Sequence, residues 1–497
     1  MNLLQKQGFF NSIILNAGTA LGFVNIILFQ RVLDLDQIGF FNLVIAITVL
    51  YGLFSSMGLS NIILRYFPYF STSDKKHRGF ITFVCWFSFL SFIACTAVYV
   101  LFKGPVVGHY QEKQGSSYLI QYYYHLIPLA FFILAFTVVE AIARAVFKNV
   151  LSAFLREIFL RLSTTLSIGL IMFGWFDYYD FILTYILTNG LIVLILWYSL
   201  YKDGDFKLST ISHEVLSRRR EMTSYGFFAL LSGGSITLIQ YLDTLMLSSM
   251  KNDALVGIYA TFFSIAVVVS LPAKALNRTS YQIVSNAWAA NDLQKIGRIY
   301  HKTSVVQFLI GCLLLIGLII NKENILVLLK KPEFRGHFDV FVLVAFAFLA
   351  DITGGLNSHI ISSSKYYKFI TFSLAVGVVF CISINFFLIP PLGMIGAAIS
   401  YLLTIVGLNF VYWLFIKVRF GLQPFDSSHL KIIIISGIVL SIGLLIPYIS
   451  NFFLDVPIRS SIIAVIYISL IYFFKISPDV NQMIQAVLVK LKIVRPQ

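Results

Sequence analysis

Apolar runs long enough to cross a hydrocarbon core of about 30 Å as helices recur from end to end of this chain, separated by short polar turns. Lipid offers no partner to unpaired backbone groups, so the runs must be helices. The pattern predicts spans at 9–29, 38–60, 79–102, 122–143, 153–174 and 181–201. It predicts eight more at 223–250, 254–276, 299–320, 338–360, 369–389, 394–416, 431–450 and 458–475. One interruption is larger than the rest. Lys202 to Glu221 is mostly polar over about twenty residues and includes Arg218, Arg219 and Arg220. Read as a connector between two bundles, it divides the chain into an N-terminal six-helix lobe (1–201), a basic cytoplasmic linker (202–222) and a second six-helix lobe (223–420). Two extra transmembrane helices and an amphipathic tail (421–497) follow. An ordinary loop with a charged face is the alternative.

Composition agrees with the pattern. Hydrophobic residues make up 58% of the chain, charged residues 12%, and mean hydropathy is +0.86. A soluble chain carries about twice that charged fraction. The expected fold class is therefore an all-α polytopic membrane protein with fourteen spans.

The net charge of +15 invites a nucleic-acid reading, but the cations sit between spans and favour alternate loops, as the positive-inside rule requires. Nucleic acid is thus not an expected partner. Lys75, Lys76, Arg78, Arg218 to Arg220, Lys490, Lys492 and Arg495 mark the cytoplasmic side, with both termini there. Lys322, Lys330, Lys331 and Arg335 in the outside loop 321–338 are the exception. Ile325-Leu-Val-Leu-Leu in that loop is too short to cross and fits an interfacial helix. Ser477 and Pro478 suit the start of an amphipathic helix carrying Val480, Ile484, Val487, Leu488 and Leu491 on one face. Cys85, Cys95, Cys312 and Cys381 lie inside spans without metal-ligand spacing, as buried thiols do.

An internal repeat is visible. Gly39 and Gly257, in similar contexts, are 218 residues apart, as are Gly79 and Gly297, each opening the third span of its half. Lys148 and Lys365 are 217 apart, and so are Gly190 and Gly407. Six spans per half is an even number, so the copies enter the membrane in the same direction. They are then related by a pseudo-two-fold axis along the membrane normal, with the last two spans appended. Duplication in a protein that transports nothing is the competing explanation.

No nucleophile elbow, phosphate loop or His/Cys metal cluster is present, and the loops are short for an enzyme domain. No catalytic residue, metal or cofactor is expected. Ionisable residues in spans are costly and direct attention to themselves. Glu140 and Arg144 are four apart, as are Glu157 and Arg161, and each pair shares a helix face. Structural pairing and lining of a substrate route are both open for them. Arg65, Lys274 and Arg278 close spans; they either snorkel or form a cationic mouth for a phosphate-bearing ligand. Asp243 and Asp351 have no basic residue within four positions, so each needs a partner on another helix, a proton or water. Either is a candidate ion-coupling site.

The order of these motifs resembles the Wzx-type flippases of lipid-linked oligosaccharides, within the superfamily that holds MATE exporters and lipid II flippases. The resembling residues are Gln37-Ile-Gly-Phe-Phe-Asn, Gly58-Leu-Ser-Asn-Ile-Ile-Leu-Arg-Tyr, Asp243, Gly257-Ile-Tyr-Ala and the Ile325 patch. Asn385-Phe-Phe-Leu-Ile-Pro-Pro-Leu-Gly-Met-Ile-Gly-Ala-Ala-Ile-Ser is the most specific. Pro390, Pro391 and Gly393 suit a tight turn, and Gly396, Ala397 and Ala398 close helix packing. The chain departs from the family at Tyr281-Gln-Ile-Val-Ser, where a proline is common, and at Lys330-Lys331-Pro332. The resemblance implies passage of a polyprenyl-pyrophosphate-linked oligosaccharide to the outer leaflet by alternating access through a central cavity. Arg65, Arg144, Arg161, Lys274 and Arg278 would bind substrate. It further implies a monomer in a bacterial inner membrane, in contact with membrane lipids, coupled to H+ or Na+ and serving O-antigen or other polysaccharide polymerase machinery. The second reading is a MATE-like small-molecule exporter. Those proteins carry an acidic residue on the first helix, where this chain has only Asn11, Asn16 and Asn25.

Overall fold

Aspartates at the polar ends of the apolar runs start several of the long helices. Asp34 and Asp177 form capping boxes, and the Asp292 and Asp426 carboxylates accept from backbone N–H groups of the first turn. In the computed structural model, which describes residues 3–112, 117–476, 480–482 and 485, these helices are α1 (Leu3–Val32), α2 (Leu35–Ser56), α3 (Phe80–Leu101), α4 (Leu126–Ala145), α5 (149–172) and α6 (Tyr178–Lys202). They continue as α7 (Arg219–Met250), α8 (Asp253–Ala266), α9 (Leu293–Ile320), α10 (Phe338–Thr353), α11 (Tyr367–Leu392), α12 (Met394–Phe420), α13 (Ser427–Leu445) and α14 (Phe452–Phe473). No strand occurs among the described residues. Side chains of residues 3–9, 112, 117, 274, 275, 278 and 279 are outside the description, as is most of the C-terminal tail, including Ser477, Pro478, Ile484, Val487, Leu488 and Leu491.

Among the described residues thirteen helices are long and apolar enough to cross a membrane. The helix left over is α5, whose middle carries Arg156, Glu157 and Arg161. The predicted second and tenth spans differ in one respect: each is broken. After α2, Met57 and Gly58 both adopt positive φ, and a separate helix, Leu59–Phe70, carries Arg65. Gly58 is required there, because a Cβ would overlap the carbonyl of Gly226 on α7. After α10, Gly354 and Gly355 interrupt the chain before the short helix Asn357–Ser362. Asp351, which the predicted span 338–360 places near mid-span, therefore lies in the last turn of α10, beside the break.

Packing divides the chain into two compact units, 1–260 with 389–393, and 261–388 with 394–497. In the first unit α2 crosses the start of α8 with no side chain between them. A Cβ on Gly39 would overlap the Asp253 carbonyl, and one on Gly257 would overlap the Leu35 carbonyl. Leu35 and Asp253 are separated by the same 218 residues as Gly39 and Gly257. Such a reciprocal contact is the mark of a two-fold relation.

The polar stretch after α6 is fastened to its own unit. Thr82 and Ser209 exchange hydrogen bonds of 2.8 and 2.9 Å, Arg78 pairs with Glu214, and Gly79 gives way to the Thr210 carbonyl. In the second unit the segment after α12 meets α9 at the matching place. Gly297 faces Leu422 at 3.1 Å, His301 pairs with Asp426 at 2.9 Å, and Ser304 meets His429 at 3.0 Å. The helix Lys322–Leu329, predicted to lie at the interface, instead buries Leu326 and Leu329 and packs on α14. There the Asn324 amide donates to Asp455 at 2.5 Å, and Asp455 pairs with buried Arg459 at 3.2 Å.

Candidate functional site: a charged cavity in the first unit

Glycines bring α1 and α5 together. Gly18 and Gly22 are four residues apart on one face of α1, and small residues at that spacing let helix backbones touch. A Cβ on Gly18 would lie 2.7 Å from the Glu157 carbonyl oxygen, and one on Gly22 2.5 Å from the Arg161 guanidinium. Arg161 donates to the Gly18 carbonyl and, at 2.9 Å, to Glu157. Asn25 donates to the Arg161 carbonyl at 3.0 Å and accepts from Thr165 at 2.5 Å. Residues 155–159 of α5 form one π-helical turn. Such turns insert one residue into an α-helix and change which side chains face inward, often at functional sites.

Behind this seam lies a cavity of about 320 Å³ bordered by Asn25, Arg156, Glu157, Arg161, Tyr185, Asn189 and Tyr241. A second, of about 210 Å³, runs from Gly52 and Ser56 past Asn61 to Gly233, Gly234 and Thr237 on α7. Val49, Ile133 and Arg156 border both. Arg156 thus stands at their junction, its guanidinium 5.7 Å from the Phe136 ring centroid and 3.9 Å from Glu140. Glu140 also pairs with Arg144 at 3.5 Å. Three arginines face two glutamates here, leaving one positive charge over. An anion bearing several oxygens is what such a cluster can hold.

Of the residues singled out in the sequence, Arg144 and Arg161 join this cluster. Arg161 is committed to Glu157 and Gly18, while Arg144 is exposed and pairs with Glu140. Arg65 stands elsewhere, stacked 4.2 Å from the Tyr225 ring centroid, beside Tyr66, whose hydroxyl donates to Glu221 at 2.9 Å. Lys274 and Arg278 lie on the helix Leu271–Ala289, with side chains outside the description. Asp243 is fully buried and accepts from the Tyr259 hydroxyl at 2.7 Å. Asp351 is exposed and accepts from Asn409 at 3.2 Å, which in turn accepts from Asn357 at 2.7 Å. Arg156 escapes sequence reasoning because its partner Glu140 lies on another helix. Its position beside Glu157 inside a predicted span is the only signal.

The family model described as polysaccharide biosynthesis protein matches residues 5–278. The chain belongs to the polysaccharide biosynthesis protein family. The stretch matched to that family contains the whole of the cavity, together with Arg65 and Asp243. Three solved structures share the fold with this family member. A lipid II flippase, MurJ, in an inward closed conformation has a TM-score of 0.73 at 14% identity, covering 94% of this chain and 98% of that one. An inward-facing multidrug resistance MATE family transporter of the MOP superfamily has 0.62 at 15%, covering 81% and 94%. A Vibrio cholerae MATE transporter has 0.54 at 13%, covering 84% and 96%. No curated protein sequence matches the chain.

Proposed function

We propose that the chain is a flippase, carrying a polyprenyl-pyrophosphate-linked oligosaccharide from the cytoplasmic to the outer leaflet of a bacterial inner membrane by alternating access. Family membership and the flippase-like fold support the class. The observation that carries the reading is Arg156 at the junction of two cavities within a membrane-spanning bundle. A pyrophosphate must shed water to enter such a place, and guanidinium groups replace the lost hydrogen bonds. Tyr185, Tyr241, Asn25 and Asn189 offer the mixed aromatic and amide wall that sugars prefer. Arg144 and Arg161 assist Arg156, and Arg65, Lys274 and Arg278 supply charge where the lipid arrives. Asp351 is exposed and held by a neutral amide, which suits a coupling carboxylate for H+ or Na+ better than Asp243, already bonded to Tyr259. The reciprocal Gly39–Gly257 contact supports a two-fold repeat of two six-helix lobes. Both termini and residues 202–221 are cytoplasmic in this scheme. The exporter reading finds no carboxylate on α1.

Charge-assisted hydrogen bonds contribute roughly 1.5–3 kcal/mol each, so Arg156→Ala should lower glycan display about ten-fold or more at normal membrane levels. Arg156→Lys should keep part of the activity, since the charge remains and the fork is lost. Wild-type display from Arg156→Ala would remove the cavity from the transport route.

A further inference from the structure

Lys148 and Lys365, 217 residues apart, sit in matching turns: one between α4 and α5, the other between α10 and α11. Lys148 is neutralised. Its ammonium lies 2.6 Å from both Asp203 and Asp205, and Lys75 adds a third contact to Asp205 at 2.8 Å. The space beside it is about 250 Å³. At the positions corresponding to Asp203 and Asp205 the second unit has Phe420 and Leu422. Among the described residues no carboxylate pairs with Lys365 or with Arg419, which comes up beside it from the end of α12. Where the first unit is closed, the second opens a cavity of about 720 Å³ between Ser285, Trp288, Ser363, Lys365, Tyr366 and Arg419.

The lining has two faces. Arg419 donates to the Tyr366 hydroxyl at 2.5 Å with its guanidinium 4.8 Å from that ring, and the Lys365 ammonium lies 5.4 Å from the same ring. Both cations are exposed, and the Ser285 and Ser363 hydroxyls, 3.3 Å apart, complete a polar side without any acid. Opposite them Trp288 packs edge-on against Phe420 at 4.9 Å, its indole N–H already donated to the Ile360 carbonyl. Trp288 therefore presents ring surface to a ligand. Aromatic rings with cations at the ends of spanning helices mark the headgroup level of a membrane, and basic pockets between such helices suit phosphate-bearing headgroups.

We propose that this cavity binds the phosphate of a membrane lipid whose headgroup carries net negative charge, with the phosphate between Lys365 and Arg419 and the adjoining apolar part against Trp288 and Phe420. In the second unit the ligand takes the place that Asp203 and Asp205 fill in the first. The inference does not rest on the transport reading, and only one of its two ligands is chemically related to the substrate proposed there. Two lipids share the required chemistry, an anionic phospholipid and a polyprenyl pyrophosphate.

Native mass spectrometry on the purified full-length protein tests it, with phosphatidylglycerol, phosphatidylcholine, farnesyl pyrophosphate and inorganic pyrophosphate as probes. Phosphatidylglycerol or farnesyl pyrophosphate should bind at least about ten-fold more tightly than phosphatidylcholine, and whichever is preferred identifies the source. Lys365→Gln and Arg419→Gln should each weaken that binding about ten-fold. Lys417→Gln should not, because Lys417 lies against the Trp413 ring instead. Three results would each overturn the proposal: equal binding of phosphatidylcholine, unchanged binding by the Lys365→Gln/Arg419→Gln double variant, or inorganic pyrophosphate binding as tightly as the lipids.

Discussion

Lys148 in the first unit and Lys365 in the second occupy matching turns, yet two carboxylates close the first while the second faces an open cavity. The difference comes from the segment that follows each sixth helix. After α6 that segment supplies Asp203 and Asp205, and it is bonded to α3 through Thr82 and Ser209. At the end of α12 the matching residues are Phe420, the last of the helix, and Leu422, and the segment beyond is held by the His301–Asp426 pair. The two halves keep the same fastening while changing the chemistry beneath it. A polar stretch that reads as a tether between bundles is, over residues 203–214, a strap belonging to the first unit.

The largest effect on this contrast should come from Asp203→Asn/Asp205→Asn. Lys148 and Lys75 would lose their carboxylates, at a cost on the order of 1 kcal/mol because both lysines are part-exposed. Hydrogen exchange across residues 203–212 should rise several-fold. Lys365→Gln should leave exchange over 421–426 as it was. Equal responses of both segments would mean that the turns do not differ as described.

A smaller effect should follow pH. Burial works against the charge on Asp205, but hydrogen bonds from Lys148 and Lys75 outweigh it and hold its carboxyl below the ordinary value of 3.8. Burial likewise opposes the Lys148 charge, and the bonds from Asp203 and Asp205 raise it above 10.5. A depressed carboxylate stabilises fully above its unfolded value and stops doing so as pH falls through the folded one. A raised ammonium stabilises below its unfolded value and stops as pH rises through the folded one. The strap of the first unit should therefore hold across the neutral range and loosen below about pH 4 and above about pH 10.5. Asp426 is also depressed, against burial, by hydrogen bonds from His301 and the Ser428 backbone, so the second segment shares the acid limit. Among the described residues Asp426 pairs with histidines and not with a lysine, so the alkaline limit of Lys148 has no counterpart at Asp426. Anisotropy of a fluorophore on Lys207→Cys, compared with one on Gln423→Cys, reads both limits. Loosening of the two segments at the same alkaline pH would contradict the assignment of Lys148.

Hydropathy made the helices legible because a lipid-spanning segment needs little beyond length and apolarity. It did not reveal the breaks at Met57–Gly58 and Gly354–Gly355, since a glycine inside an apolar run is also compatible with close packing. The repeat was legible through glycines for a physical reason. Gly39 and Gly257 sit where backbones touch, and no other residue fits. Charges four apart on one helix announced Glu140–Arg144 and Glu157–Arg161, and the structure pairs them. Contacts between helices carry no such spacing. That is why Arg156, the Asn324–Asp455 contact under the helix Lys322–Leu329, and the Asp203–Lys148–Asp205 closure emerged only with the fold. Arg65, placed at the end of a span by hydropathy, lies past a break and stacks on Tyr225.

Transport itself is the central claim. Purified protein reconstituted into liposomes with a fluorescent polyprenyl-pyrophosphate-linked oligosaccharide, followed by membrane-impermeant quenching, measures it without any other envelope protein. The wild type should move the lipid between leaflets well above protein-free liposomes, and Arg156→Ala should slow that movement about ten-fold. Movement no faster than in protein-free liposomes, under an imposed H+ or Na+ gradient as well as without one, would contradict the account.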